Sequence, residues 1–213
     1  MMKACFYVTL ATMFFCSSVL AEMPDLGGFL KAATTSPVSI SDLLSTKAKV
    51  LSGYISSMQE LTSALEKAAT AFGVKGDVVA KLADIKALTP KNISDSLLEK
   101  ARQSSQAILD TIKSKMQNTA TLPAGSANLF AGSLKSLSGV IQNIKNLMPQ
   151  VNNLVGGAGK ALISASGQDK TKIQDILSLG SVISKSLPSD LKTVGAIVSV
   201  FNQYATAHNI PLL

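Results

Sequence analysis

Tryptophan is absent from this sequence, histidine occurs once (His208), arginine once (Arg102), and cysteine only at Cys5 and Cys16. With one histidine, neither a catalytic triad nor a histidine-based metal site has its usual materials. The sequence therefore reads as non-enzymatic, without cofactor or metal. His208 itself is expected at the surface near the last helix C-terminus, where a positive charge suits the helix dipole. Aromatic residues make up only 5% of the chain, too few for a base-stacking platform. The net charge is +7, yet the cations are nearly all scattered lysines rather than the arginines that grip phosphate and guanine. Nucleic acid is thus an unsuitable partner, and weak contact with an anionic surface is the most this charge implies. Acidic residues are missing altogether from Thr111 to Gln168. Beyond the N-terminus no apolar run reaches the ~18 residues a membrane span needs.

What is present begins with "MMKACFYVTLATMFFCSSVLA", one lysine before an apolar run that ends in Val19-Leu20-Ala21. This has the form of a secretory signal peptide over residues 1–21, cleaved before Glu22. Met13-Phe14-Phe15 before Cys16 do not form a lipobox. Cleavage would remove both cysteines, so the mature chain would be held by its core alone, without disulfides. The expected location is secreted, extracellular or cell wall, or periplasmic in a Gram-negative host. Residues 22–38 read as a loosely ordered leader, 39–208 as one bundle domain and 209–213 as a tail.

Through the bundle region apolar residues recur with the helical period. Ile40, Leu44, Leu51, Ile55, Met58, Leu61, Leu65, Ala68 and Phe72 trace one stripe, with Ser39 or Ser41 to cap it and Gly73 to end it. A short helix is expected over Asp77–Leu88, and Thr89-Pro90 resembles an N-cap followed by a first-position proline. Ile93, Leu97, Ala101, Ser104, Ile108, Ile112 and Met116 form the next stripe. Phe130, Leu134, Leu137, Ile141, Ile144 and Met148 follow with heptad-like spacing. Pro149 is expected to break or kink that helix, Gly167 to close its continuation, and Asp169 to cap the next. Pro188 should stop the stripe from Ile173 to Leu187, leaving Leu191–Tyr204 as a final helix. The fold class is all-α: a single bundle of five to seven amphipathic helices, some kinked at proline or glycine.

Local motifs add little chemistry. "GGAGK" (156–160) matches a phosphate loop only in part, since Ala161 replaces the required Ser or Thr. Asn92-Ile93-Ser94 is a glycosylation sequon, relevant only in a eukaryotic secretory pathway. Asp190, after Ser189, reads as a helix cap. Glycines at 132, 139, 156, 157, 159, 180 and 195 serve either close helix crossings or an enclosed apolar cavity. For a cavity, the candidate lining is Met58, Phe72, Phe130, Leu134, Leu137, Ile141, Ile144 and Phe201. Taken singly, each of these reads first as plain core.

The pattern Leu147-Met148-Pro149, Val151, Leu154, then Ile183-x-x-x-Leu187-Pro188-x-Asp190-Leu191, resembles the fungal hydrophobic-surface-binding protein A family, which includes cell-wall mannoproteins. The similarity spans roughly residues 40–205. It implies a secreted helical bundle that binds hydrophobic surfaces or holds a fatty acid or similar small molecule between helices. The other reading is a structural or adaptor protein of a bacterial envelope or secretion assembly, using an exposed seam for a partner helix.

Overall fold

A computed structural model describes residues 39–211. The expected signal peptide and leader lie outside the described residues. Within them the chain is all-α, with five helices: α1 (Ile40–Ala71), α2 (Lys75–Lys86), α3 (Asp95–Gln117), α4 (Ala124–Ser164) and α5 (Gly167–Ala207).

Local chemistry sets the boundaries. Ser39 caps α1 by accepting a hydrogen bond from the Asp42 amide at 3.1 Å. At its other end Gly73, at φ +71°, carries a paired closure: Val74 N–H donates to the Ala69 carbonyl and Gly73 N–H to that of Thr70. The expected helix start at Thr89-Pro90 is not used. Asn92 occupies that backbone instead, accepting from the Thr89 amide at 2.7 Å and donating to the Ala87 carbonyl at 2.8 Å. This side-chain-stabilised turn delays α3 until Ser94 can cap it through the Leu97 amide.

Pro149 was expected to break or kink its helix and Pro188 to stop one, and neither ends the helix it lies in. Pro149 lies inside α4 and Pro188 inside α5, each helix 41 residues long. Such a proline costs about 3 kcal/mol in a free helix. Here both rings face solvent, while Leu147, Val151 and Leu154, and Leu187 and Val194, stay buried on either side. Continuous packing of the apolar face outweighs the lost hydrogen bond. Gly167, at φ +54°, makes the turn into α5, and Asp169 sits in the first turn without capping it.

The helices form an antiparallel three-helix core of α1, α4 and α5, with the α2–α3 hairpin laid over α1 and α5. Ser133 of α4 donates to the Ala64 carbonyl of α1, and Asn143 to Glu60, so α1 and α4 run in opposite directions. Tyr54 meets Asp190, and Phe72 meets Tyr204, so α1 and α5 run the same way. α3 follows them: Arg102 reaches Asp190, and the Thr119 carbonyl just beyond α3 accepts from Tyr204. Among the described residues α2 and α3 do not pack on α4.

The buried seam of α4 keeps heptad spacing, with Phe130, Leu137, Ile144 and Val151 recurring every seven residues and Ser133, Val140, Leu147 and Leu154 doing the same. It runs Phe130, Leu134, Leu137, Val140, Ile144, Leu147, Val151, Leu154, while Ile141 and Met148 are only half-buried. The second row of the seam thus lies one position before Ile141 and Met148, although Leu134 is buried as well. In α1 the buried row Leu43, Val50, Ser57, Ala64 and Ala71 likewise recurs every seven residues, one position before Leu44 and Leu51.

The helical glycines divide into two kinds. A Cβ at Gly180 would lie 2.8 Å from Val155 Cγ2, so α4 and α5 touch there closely. Nothing lies within 4 Å of a Cβ built at Gly132. Gly132→Ala should therefore raise stability by about 0.5–1 kcal/mol, through helix propensity alone. Gly180→Ala should lower it by about 1–3 kcal/mol, because stiff, β-branched Val155 cannot give way. Urea unfolding of the two variants beside the parent checks both signs.

Candidate functional site

Seven of the eight candidate lining residues, Met58, Phe72, Phe130, Leu134, Leu137, Ile144 and Phe201, are buried, and Ile141 is half-buried. Three of them converge. Phe72, Phe130 and Phe201 meet with Tyr204 at the end of the bundle where α1 stops and α4 starts. Ring centroids there lie 5.4 Å apart for Phe72–Phe130, 5.1 Å for Phe130–Phe201 and 5.1 Å for Phe72–Tyr204, with two pairs edge-to-face. His208, the C-cap of α5, stacks on Tyr204 at 4.2 Å. Two surface depressions lie elsewhere and open to solvent. One runs along Ser199, Asn202, Gln203 and Thr206 of α5, and the other lies between Asp77 and the Thr111–Asn118 stretch. Neither is lined by a candidate residue.

The chemistry that composition concealed is polar and buried. Asp190, expected to cap a helix, sits in mid-α5 at 3% exposure. The helix runs through Pro188, so no start exists for Asp190 to cap. It points instead between α1 and α3. The Tyr54 hydroxyl, itself 1% exposed, donates to Asp190 Oδ2 at 2.7 Å. Arg102 Nε of α3 lies 3.2 Å from Asp190 Oδ1, yet the two atoms are misaligned and neither forms a hydrogen bond. The contact is thus a charge pair without a proper bond, and it leaves part of the carboxylate's desolvation uncompensated. Arg102 Nη1 also pairs with Glu99, one turn earlier on α3, at 2.8 Å.

This geometry decides how Asp190 titrates. Burial pushes its carboxyl up to about 6, against the opposing pull of the Tyr54 hydrogen bond and the Arg102 charge, with Glu99 adding to the rise. Tyr54 is driven well above the ordinary phenol range, first by burial and then by Asp190, so it remains a proton donor throughout. The cluster thus sets a buried carboxyl with a raised pKa between α1, α3 and α5, with the partly exposed Arg102 at its edge. Sequence reasoning missed it because Asp190 follows Pro188-Ser189, a helix-start pattern. One signal was available: the chain's single arginine falls on the face of α3 between Leu98 and Ser105, both buried.

Among the described residues no group of His, Cys, Asp and Glu side chains is placed to hold a metal ion. No helix there is long and apolar enough to cross a membrane. No protein-family model, curated protein or solved structure matches this chain.

Because the folded carboxyl titrates above its unfolded value of 3.8, Asp190 contributes stability that is fully present below that value and lost as pH rises through about 6. The difference in unfolding free energy between the parent and Asp190→Asn should therefore shift against the parent by about 3 kcal/mol from pH 3.5 to pH 7. Denaturant titrations of both proteins across that range check it; the comparison cancels the opposite contributions of Glu66 and Asp84, whose carboxyls are held low chiefly by hydrogen bonds from Lys75 and Lys100.

Proposed function

We propose that this chain is a secreted, non-enzymatic binding protein that takes up a fatty-acid-like amphipath, or coats a hydrophobic surface, with the inner faces of its helices. One observation carries this reading. The α2–α3 hairpin covers apolar faces of α1 and α5 while leaving α4 untouched, so its displacement would bare a long apolar surface on an intact three-helix core. The candidate residues are packed rather than set around a ready pocket. Uptake therefore proceeds by helices parting, not by filling a standing cavity. The resemblance of the Leu147–Leu154 and Ile183–Leu191 stretches to the hydrophobic-surface-binding family supports the same ligand class. The signal-like N-terminus supports export, and exposed lysines along an acid-free α4 would favour an anionic surface.

Native mass spectrometry of the purified protein with added palmitate tests the reading, together with adsorption to octyl-coated beads. A complex with one or a few added palmitates, or saturable adsorption that keeps the helical signal in circular dichroism, is the expected result. No added mass and no adsorption would overturn it, and oligomers in that same spectrum would favour the assembly protein instead.

A further inference from the structure

The α2–α3 hairpin is attached at one end only. Residues 72–74 join it to α1 and residues 118–123 join it to α4, both at the aromatic end of the bundle. That end is pinned: Tyr204 donates to the Thr119 carbonyl at 3.1 Å, Leu122 is buried, and Phe72 lies within the ring cluster. The other end of the hairpin, the turn around residues 87–94, has no covalent tie to the core. Arg102 lies two turns into α3 from that free end and about 24 Å along the helix from the pinned one. There it meets the buried pair of Asp190 and Tyr54. The remaining polar ties of the hairpin to α1 are solvent-exposed pairs of Glu66 with Lys75 and Lys86, which contribute little.

We propose that the α2–α3 hairpin is a flap hinged at the aromatic end, and that the contact of Arg102 with Asp190, which Tyr54 holds from α1, is its latch, releasing a proton when it opens. This rests on the binding reading above and supplies its regulation: the flap is the element whose movement bares the apolar faces of α1 and α5.

The direction follows from the surroundings of Asp190. α1 presents Tyr54, and α3 presents Arg102 and Glu99. α4 buries apolar Ile144 and Leu147 near this level, Leu147 lying against Gly53 beside Tyr54. On α5 itself Lys185 and Lys192 are exposed. In the closed state the carboxyl is short of hydrogen bonds and favours its neutral form. Opening admits water and restores the ordinary acidity of the group. Ionisation and opening therefore favour each other, and the flap is tight in acid and loosened towards neutrality. With the closed group at about 6 and the open one at 3.8, the opening equilibrium should grow roughly 50-fold from pH 4 to pH 7.

Hydrogen exchange of the full chain, expressed as protection factors so that intrinsic exchange cancels, tests this. Amides of α3 near Arg102 should lose roughly 50-fold protection between pH 4 and pH 7 while those of mid-α4 hold theirs. Asp190→Asn should abolish that pH dependence. Tyr54→Phe, which removes a hydrogen bond that favours ionisation, should move its midpoint to higher pH, a change that loss of packing alone would not produce. Equal α3 protection at both pH values, the same pH dependence in Asp190→Asn, or parallel loss in α3 and α4 would each overturn the latch. Because no ligand is used, its fate is separable from that of the binding reading. A flap that opens with pH in a protein that adsorbs to no octyl bead would keep the latch and sink the binding.

Discussion

The whole arrangement hangs on the apolar seam that α4 shares with α1 on one side and α5 on the other. Residues 39–211 contain no cysteine, so no covalent cross-link limits how the helices come apart. Burial of Leu, Ile and Val along some forty residues of α4 is what keeps that helix continuous through Pro149 and its run of glycines. The close approach at Gly180 lets α5 pack against Val155 where the glycine-rich end of α4 offers few side chains of its own. The second layer, α2 with α3, packs on α1 and α5 and adds Val78, Leu82, Ile85, Leu98, Ile108 and Ile112 to the same buried core.

Against this apolar background the Tyr54–Arg102–Asp190 cluster is an expense of stability that aliphatic side chains would avoid. Its geometry is also incomplete, with Arg102 Nε and Asp190 Oδ1 facing each other unbonded. What the cluster provides is specificity of position. It joins one residue from each of three helices that run the same way, and so fixes the register of α3 against α1 and α5, where a smooth apolar face would allow sliding.

Helix number, class and most of the core were legible in the sequence because each helix has one buried face and the 3.6-residue period exposes it. The misreadings came from punctuation. Pro149 and Pro188 are helix breakers in isolation, but their rings point to solvent and packing on both sides carries the helix through. Thr89-Pro90 has the chemistry of a helix start, yet Asn92 takes the same backbone into a turn. Leu44 and Ile141 were assigned to the seam, but the buried row lies one position earlier, at Leu43 and Val140, on the same seven-residue repeat. The aromatic cluster could be read in part, since Phe72, Phe130 and Phe201 each lie on an apolar stripe. The polar cluster could not, because its members are 48 and 88 residues apart in sequence, and only the continuity of α5 through Pro188 brings them together.

The order of the helices has a consequence for how the chain assembles. α2 with α3, and α4 with α5, are antiparallel neighbours joined by short turns, so each pair closes a small loop and forms locally. α1 meets its main partner only after the chain has made α2 and α3: Ala64 and Ser133 are 69 residues apart, and Glu60 and Asn143 are 83. The chain entropy of that closure grows with separation, and non-local contacts of this kind set folding speed. Until α1 docks, both preformed hairpins display their apolar faces to water. Newly made chains are therefore at their stickiest while the helix made first waits for the one made fourth.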